Sequence, residues 1–474
     1  MTSNKKISIN QALNEAQLGS LHWRVWFLSS MGVFLDGFDL FIIGIALPLI
    51  VREFNPGPIQ IGFIGSAAVL GSVLGGFIGG KFIDHYGRKS LYIIDMVFFL
   101  TFGFLSAFSW DVWSLIAFRF FLGLGVGLDY PICASYVSEF MPTRLRGRML
   151  ISSFSFQAIG MFFAALMGLL ILKIYPEEIA WRYMLAAGAI PALAVMILRV
   201  YVPESPRWLI EKGEYEKAAQ ITARTVPAVK DQIDVIVSKA NKHAAKIEKK
   251  KLKYSDLFKK KYIKRTVLAI VPWFSMDIAT YGVGLFTPTI LAIIAYSNET
   301  NYILRDIVST QGAAYLDIFL IVGFALNIWL VERLGRIKLQ IIGFSGMFIG
   351  LLILTAAGVT MGSDGAASLY LVIPGFVLFN LLMNMGPNAT TFILPAELFP
   401  TKLRASAHGL ATSSAKFGAA LGIFILPIIK DAIGLPAALI SLAMFVLIGL
   451  IVTAVFRVQT MGRSLEDISP GDIT

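Results

Sequence analysis

The chain has 474 residues, of which 56% are hydrophobic and only 15% are charged, and its mean hydropathy is +0.72. This composition argues against the two or more soluble domains that the length alone would suggest, and it indicates an integral membrane protein. The net charge of +11 is compatible with a nucleic acid or an anionic ligand, but the positions of the basic residues give a plainer explanation.

Twelve apolar stretches are long enough to cross a bilayer as helices, which requires about 20 residues each. We number them spans 1 to 12, and they run over residues 23–51, 59–82, 90–109, 111–140, 149–173, 182–202, 264–293, 309–331, 338–360, 369–395, 405–430 and 434–457. Residues 1–22 are polar and lack an apolar core and a small-residue cleavage site, so they do not form a signal peptide. The sequence predicts an all-α membrane protein with twelve transmembrane helices.

The basic residues are distributed unevenly over the loops between these spans. Of the 41 Lys and Arg residues, 33 lie in the termini or in loops on the same side. Five lie in loops on the opposite side: Arg52, Lys173, Arg182, Arg305 and Lys430. The remaining three lie inside spans: Arg119, Arg199 and Lys416. Because cytoplasmic loops carry the excess of Lys and Arg, we expect both termini in the cytoplasm, a multi-pass protein of the plasma membrane, and no nucleic-acid partner.

The two halves of the chain, on either side of a long polar segment, resemble each other in sequence. Glu139 and Arg146 close span 4, and Glu397 and Arg404 close span 10 at an offset of 258 residues. Parallel six-helix repeats are a transporter architecture that binds its substrate between the halves. The predicted units are an N-terminus (1–22), a first bundle (23–202), a central loop (203–262), a second bundle (263–458) and a tail (459–474).

A second motif is also present in both halves. Gly80, Asp84 and Arg88 belong to a loop motif after span 2, and Glu332 and Arg336 belong to its weaker copy after span 8. These motifs, together with the glycine-rich run that follows Arg119 in span 4 and the Pro203–Trp208 segment after span 6, resemble the major facilitator superfamily. The resemblance implies two pseudo-symmetric six-helix bundles. It also implies that the acidic and Arg groups of both repeated motifs pair when the cytoplasmic side is closed, as gates.

Charged residues inside a bilayer are rare, face the bundle interior and point to function. Asp36 and Asp39 lie three residues apart in span 1 and share a face, where two carboxylates cannot both ionise cheaply, which suits a proton carrier. The alternative is that one of them caps a broken helix or accepts a hydrogen bond from a backbone amide. Arg119 either takes part in proton coupling or holds carbonyl groups of neighbouring helices. Asp95 and Asp317 receive no role.

Two further spans carry polar groups for a solute. Trp273, Asp277 and Tyr281 recur every fourth residue in span 7 and form a stripe of hydrogen-bonding groups. In span 10, Gly386-Pro387 breaks the helix next to Asn388, and a break at this depth is tolerated where it lines a cavity or is buried in protein.

Span 11 supplies Lys416, a buried cation that needs an anionic partner, either a carboxylate of the protein or the cargo. The repeat places it in a pair: Gln157 and Lys416 are 259 residues apart, and so are Asp129 and Asn388. These four residues should therefore converge on the axis that relates the two halves.

A narrower resemblance concerns the cargo. Gly127–Pro131, the span 7 stripe, and the run Gly386–Glu397 with Lys416 look like the phosphate:proton symporters of fungi and plants. The resemblance implies phosphate contacts from Asp129, Tyr130, Gln157, Trp273, Asp277, Tyr281, Asn388 and Lys416. It implies a proton path through Asp36 and Asp39. Asp129 and Asp277 would repel the anion, so protonation of one of them would couple the two movements, and Arg119 joins this proton-coupling set.

Some positions depart from that family's pattern, among them Leu128 and Cys133 beside the proposed site. Symport of a small organic acid or sugar therefore stays open, and a non-transporting nutrient sensor is a remoter alternative. The sequence has no metal-ligand cluster, phosphate loop or nucleophile–base arrangement, so we expect neither an enzyme nor a cofactor. The expected partners are phosphate, protons and the lipid bilayer, and the chain is expected to function as a monomer.

Overall fold

The computed structural model describes residues 9–142, 144–227, 254–294, 301–359, 365–399 and 401–458. Within these ranges, the side chains of a few helical residues also lie outside the description, among them Gly80, Asp84, Arg146 and Arg404 of the predicted gate motifs. The whole predicted tail and nearly half of the predicted central loop fall outside it too.

All twelve predicted spans are confirmed as helices long and apolar enough to cross a membrane. Spans 1 to 4 are Ser20–Phe54, Pro58–Tyr86, Arg88–Ser106 and Val112–Phe140. Span 5 is Arg146–Phe154 followed by Phe156–Ile174, span 6 is Ala180–Ala187 followed by Ala189–Val200, and span 7 is Ile263–Leu285 followed by Thr287–Ile294. Spans 8 to 12 are Tyr302–Leu334, Arg336–Val359, Gly365–Met385 with Pro387–Leu398, Thr401–Ile433 and Leu435–Val455.

Short helices cover the ends of the spans that adjoin the central loop, which we call the central-loop side; the opposite side is the far side. They are Ile9–Asn14, Pro206–Glu211, Tyr215–Thr225 and the 3-10 helix Tyr254–Phe258. Leu13 of the first packs with Leu209 and Ala218 of the next two. The N-terminal helix and the first part of the central loop thus form a small packed layer with its own apolar contacts.

The helices of the two halves pack in the same pattern. Span 1 packs on span 5 as span 7 packs on span 11, and span 2 packs on span 4 as span 8 packs on span 10. Span 3 likewise packs on spans 4 and 6, and span 9 on spans 10 and 12. This correspondence confirms the two pseudo-symmetric six-helix bundles.

The halves meet through spans 1 and 7, 2 and 11, and 5 and 8. Glycines allow close approach at these crossings: a Cβ at Gly44 of span 1 would overlap the carbonyl oxygen of Leu285 in span 7. On the far side, Arg52 of span 1 forms a 2.8 Å ion pair with Asp306 of span 8, and its guanidinium lies 4.1 Å from the centre of the Tyr302 ring. The far side is therefore held closed by both packing and charge.

The repeated motifs form ion pairs on the central-loop side, each inside its own half. Arg88 Nη2 lies 3.0 Å from Glu139 Oε1, joining spans 3 and 4. Arg336 contacts Glu332 and Glu397, both at 3.0 Å, joining spans 8, 9 and 10. These described pairs brace each bundle and do not cross between the halves.

The turn before span 3 requires a glycine at position 87, in the loop motif that follows span 2. Gly87 has a φ of +93°, which favours glycine, and a Cβ there would collide with the Glu204 carboxylate. Glu204 accepts 3.1 Å hydrogen bonds from the backbone N–H groups of Arg88 and Lys89. It thereby satisfies the free donors at the start of span 3 and ties the loop after span 6 to it.

Candidate substrate and proton site

A connected polar network lies between the halves, near the middle of five spans. Gln157 Nε2 donates to Asp36 Oδ2 at 3.2 Å, to Tyr130 Oη at 3.0 Å and to Tyr281 Oη at 2.9 Å. Tyr130 donates in turn to Asp36. Lys416 Nζ donates to Tyr281 at 2.8 Å and to Tyr130 at 3.2 Å. Five of the sequence-predicted residues are therefore brought together, three from the first half and two from the second.

Lys416 is the cation of this network, and only 7% of its surface is exposed. It contacts the two phenol groups, whose ring centres lie 4.4 and 4.8 Å from Nζ. Among the described residues no carboxylate lies within ion-pairing distance of it, because Tyr130 stands between Lys416 and Asp36. Asp36 and Asp277 are close enough to act on the charge of Lys416 without contacting it, so Nζ can still bond directly to an anion at this point.

A small cavity adjoins the network. Gln157, Tyr281, Asn384 and Asn388 contribute polar groups to its lining, and Phe41 and Phe324 are among the apolar ones. The cavity volume is about 10 Å³, which is enough for one water molecule. Side chains that bond to one another thus fill the space between the halves.

The break in span 10 shapes this cavity, as the Gly-Pro pair predicts. The helix ends at Met385 and begins again at Pro387. Asn327 of span 8 donates to the freed carbonyl of Met385 at 2.6 Å, so the buried backbone group is satisfied. Asn388 in the first turn of the new helix donates to Asn384 at 2.6 Å, and both side chains line the cavity.

Trp273 and Asp277 continue from Tyr281 toward the central-loop side. Both are buried, and Lys416 and Asp36 are the charged groups that act on Asp277. The Trp273 ring meets the ring of Phe392 at 6.0 Å between centres. The predicted stripe is therefore one continuous buried face, with its phenol in the network and its indole in an aromatic layer.

That aromatic layer closes the cavity toward the central-loop side. Phe154 of span 5 stacks on Phe392 of span 10 with 4.9 Å between ring centres and an angle of 9°. It also meets Phe324 of span 8 edge-on at 5.9 Å. Phe154 belongs to the first half and the other two rings to the second, so this layer is a contact between the halves that sequence reasoning missed.

Asp39 and Arg119 form a separate pair beside the network. Arg119 Nη2 lies 3.5 Å from Asp39 Oδ2 and 3.4 Å from its carbonyl oxygen, and Arg119 is fully buried. Asp36 and Asp39, predicted to share a face, have different partners: Asp36 bonds with Tyr130 and Gln157, and Asp39 with Arg119. Arg119 thus holds a carbonyl group of a neighbouring helix and also contacts a carboxylate, and its proton-coupling role stays a prediction.

Asp129 is placed differently from its sequence neighbour Tyr130. Its carboxylate lies 2.8 Å from Nη2 of Arg199 in span 6, and it does not contribute to the lining of the cavity. Arg199 Nη1 also holds Asp95 of span 3 at 2.9 Å. The predicted phosphate contact of Asp129 is thus replaced in this structure by an ion pair, because Asp129 and Tyr130 project from different faces of span 4.

The repeat predicted only part of this arrangement. Gln157 and Lys416 do converge, since both bond to Tyr281 and Tyr130. Asn388 reaches the cavity but its counterpart Asp129 does not. The missing partner was visible in the sequence: Arg199 is one of only three cations inside spans, and Asp95 is a carboxylate that had no role.

Comparisons with known proteins agree with this architecture. The family model described as "Sugar (and other) transporter" matches residues 25–471. The "Probable inorganic phosphate transporter 1-6" of Arabidopsis thaliana is 30% identical over 99% of this chain and 97% of that protein. The "Inner membrane metabolite transport protein YgcS" of Escherichia coli (strain K12) is 30% identical over 97% of this chain and 96% of its own length.

Solved structures show the same fold. The inward-open xylose transporter XylE from E. coli has a TM-score of 0.75 and 21% identity, with 94% of this chain and 99% of that chain covered. Its partially occluded inward-open form has a TM-score of 0.74 and 20% identity, with 92% and 98% covered. The chain belongs to the sugar (and other) transporter family and is a major facilitator superfamily transporter that resembles the phosphate transporters.

Proposed function

We propose that this chain is a proton-coupled importer of inorganic phosphate that works by alternating access. The observation that carries the proposal is the environment of Lys416: a buried ammonium between the halves, bonded to two phenols and to no carboxylate among the described residues. An anionic cargo would supply the direct ionic contact that Nζ lacks. The resemblance to plant phosphate transporters supports phosphate as that anion.

Dihydrogen phosphate suits the groups available. Its oxygen atoms can accept hydrogen bonds from Lys416, Tyr130, Tyr281, Gln157 and Asn388, and from the Trp273 indole when the cavity widens toward the central-loop side. Its hydroxyl groups can donate to Asp277 or Asp36. Because each donor already bonds to another member of the network, the anion would replace those internal bonds as the halves separate.

The carboxylates provide the proposed coupling to protons. Asp36 and Asp277 both act on Lys416, so one more anion would leave this region with excess negative charge. A proton on one carboxylate removes that excess, which is how entry of phosphate and of protons would be linked. Asp39 with Arg119, and Asp129, extend the proton-coupling set along the first half.

The proposal also covers the topology, the membrane, the oligomeric state and the two moving units. The termini and the central loop face the cytoplasm, the chain lies in the plasma membrane and works as a monomer, and residues 23–202 and 263–458 move as the two units. Arg88–Glu139 and Arg336–Glu397 would brace the central-loop ends of each unit during that movement.

The test is uptake of labelled phosphate into proteoliposomes that contain the purified full-length protein, with and without an imposed pH gradient. We expect uptake that rises with an inward proton gradient and is inhibited by arsenate but not by sugars or carboxylates. Asp277→Asn should reduce the dependence on pH. Uptake of phosphate that ignores the gradient would contradict proton coupling, and absence of phosphate exchange would contradict the choice of cargo.

A second candidate cargo is a small sugar or organic acid. The family description and the xylose-transporter fold support a sugar, and the indole and phenol of the span 7 stripe are groups that a sugar ring can contact. The competitor panel in the same assay separates these cargoes. Labelled xylose taken up in preference to phosphate would favour this candidate.

A further inference from the structure

An ion cluster with one cation and two carboxylates lies inside the first half, apart from the cavity. It consists of Asp95 of span 3, Asp129 of span 4 and Arg199 of span 6, with contacts of 2.9 and 2.8 Å from Arg199 to the two carboxylates. Asp95 and Arg199 are completely buried, and Asp129 is 5% exposed. We call these three residues the ion triad.

The charges of the ion triad do not balance. Its guanidinium carries one positive charge and its two carboxylates, when ionised, carry two negative charges, so the deprotonated triad holds a net charge of −1 away from water. A buried charge without a partner is costly, and one proton would make the triad neutral. Among the described residues around the triad, there is no second cation that could balance this charge.

The described groups around the ion triad come from spans 1, 3 and 4. Span 1 contributes Ser29 and, one turn beyond Gly32, Asp36. Span 3 contributes Tyr92, whose ring lies 3.7 Å from the Arg199 guanidinium carbon and whose hydroxyl bonds to Ser29 at 3.2 Å. Span 4 contributes Cys133, whose thiol donates to Asp129 at 3.1 Å, and the phenol of Tyr136 one turn further. None of these neighbours is a cation.

The ion triad adjoins the substrate network through two spans. Tyr130 follows Asp129 directly in span 4 and bonds to Asp36. Gly32 and Asp36 are one turn apart in span 1, and a Cβ at Gly32 would overlap both Asp129 and Arg199. The charge of Asp129 also acts on Asp36. A change in the protonation of the triad therefore reaches the cargo site without contact with the cargo.

We propose that the ion triad carries one co-transported proton, shared by Asp95 and Asp129, with Arg199 as the fixed counter-ion that positions both. In the transport cycle, Asp95 is thus a proton-binding residue and Arg199 a positioning residue. This inference rests on the proposed function, since it assumes that protons drive the cargo. It goes beyond that proposal, which already includes Asp129, by adding Asp95 and Arg199 and by assigning one shared proton to the three residues together.

The test variants each remove one of the two carboxylates of the triad, so that its charges balance without a proton. Asp95→Asn leaves a neutral Arg199–Asp129 pair, and Asp129→Asn leaves a neutral Arg199–Asp95 pair, so each variant should fold and neither should need a proton. Asp317→Asn in span 8 is the matched control, a carboxyl group inside a span but outside the triad and the network. Arg199→Gln leaves two buried carboxylates and is expected to misfold, so it is not used as evidence.

The first measurement compares two modes of phosphate transport in proteoliposomes. Counterflow at equal pH needs no net proton movement, whereas accumulation against a gradient does. A pH difference of about one unit supports at most about tenfold accumulation for each proton coupled to the cargo. We expect Asp95→Asn and Asp129→Asn to keep counterflow and to lose that accumulation together with phosphate-dependent proton uptake, and Asp317→Asn to keep all three.

Three results would overturn the proposal: full accumulation in Asp95→Asn, equal loss of counterflow and accumulation in that variant, or the same loss of accumulation in Asp317→Asn. Absence of phosphate counterflow in the unmodified protein would instead reject the proposed cargo. In that case infrared difference spectra of the purified protein across a pH titration decide the matter. A protonated-carboxyl band that is present in the unmodified protein and absent from both triad variants supports the triad, and a band unchanged in both rejects it.

Discussion

The side-chain nitrogen of Gln157 lies 2.9 Å from the phenolic oxygen of Tyr281, and this hydrogen bond joins span 5 of one half to span 7 of the other. The bond occupies the space that a cargo would need, since the adjoining cavity holds about one water molecule. Lys416 bonds to the same phenol from the opposite side. In the proposed function, these internal hydrogen bonds would be exchanged for bonds to the cargo when the halves separate.

The first prediction concerns the charge of Lys416. Replacing it with Gln removes the ammonium but keeps a hydrogen-bond donor, so the loss reports on charge. A hydrogen bond to a charged group contributes about 1.5–3 kcal/mol, so the concentration of phosphate for half-maximal exchange should rise about ten- to a hundredfold. Lys173→Gln, at an exposed position on the far side, is the control. Equal values for the two variants would show that Lys416 does not bind the anion.

The second prediction concerns the aromatic layer that closes the cavity toward the central-loop side. Phe154→Ala removes the ring that stacks on Phe392 and meets Phe324, and with it a contact between the halves. Thiol reagents should then reach a cysteine introduced at Asn384, in a Cys133→Ser background, several-fold faster from that side. Phe163→Ala, which truncates an exposed ring in the same span, should leave the rate unchanged. An unchanged rate in Phe154→Ala would mean that these rings do not close the path.

The amino-acid sequence predicts this fold well because each span is an apolar run of the required length, and the repeat of Glu139 and Glu397 fixes the two halves. Most of the site follows from rare polar residues inside spans, as with Lys416 and Tyr281. Asp129 is the instructive exception. Its position in the repeat gave its depth in the membrane, but the face of the helix, and so the choice between the cavity and Arg199, depends on how spans 4 and 6 pack.

Phe154 was missed for a different reason. Among 36 phenylalanines, an aromatic side chain at a contact between the halves has no pattern that separates it from a lipid-facing one. Pairing across the halves is a property of the assembled bundle. Polar residues inside spans are few enough to be interpreted singly, and apolar ones are not.

The third prediction concerns the ion pair on the far side. Arg52 and Asp306 join spans 1 and 8 at 2.8 Å, and Asp306 is 4% exposed. Opening of the far side must break this pair, so Asp306→Asn should shift the protein toward far-side-open states. We expect faster labelling of a cysteine introduced at Thr289, which lines a far-side cavity, in a Cys133→Ser background. The exchanged pair Arg52→Asp with Asp306→Arg should return the rate toward that of the unmodified protein. Failure of the exchanged pair to restore it would argue that Asp306 acts through packing alone.

The last prediction tests the close crossing of spans 1 and 7. Because a Cβ at Gly44 would overlap the backbone oxygen of Leu285, Gly44→Ala must push the two halves apart on the far side. Overpacking of this kind costs about 1–3 kcal/mol, and it should lower the midpoint of thermal unfolding in detergent and slow phosphate exchange. Gly409→Ala is the control, since a Cβ there meets nothing within 4 Å and alanine favours the helix. If both variants unfold at the same temperature, the halves do not depend on this contact. If Gly44→Ala is less stable yet exchanges phosphate at the normal rate, the crossing supports the fold without limiting transport.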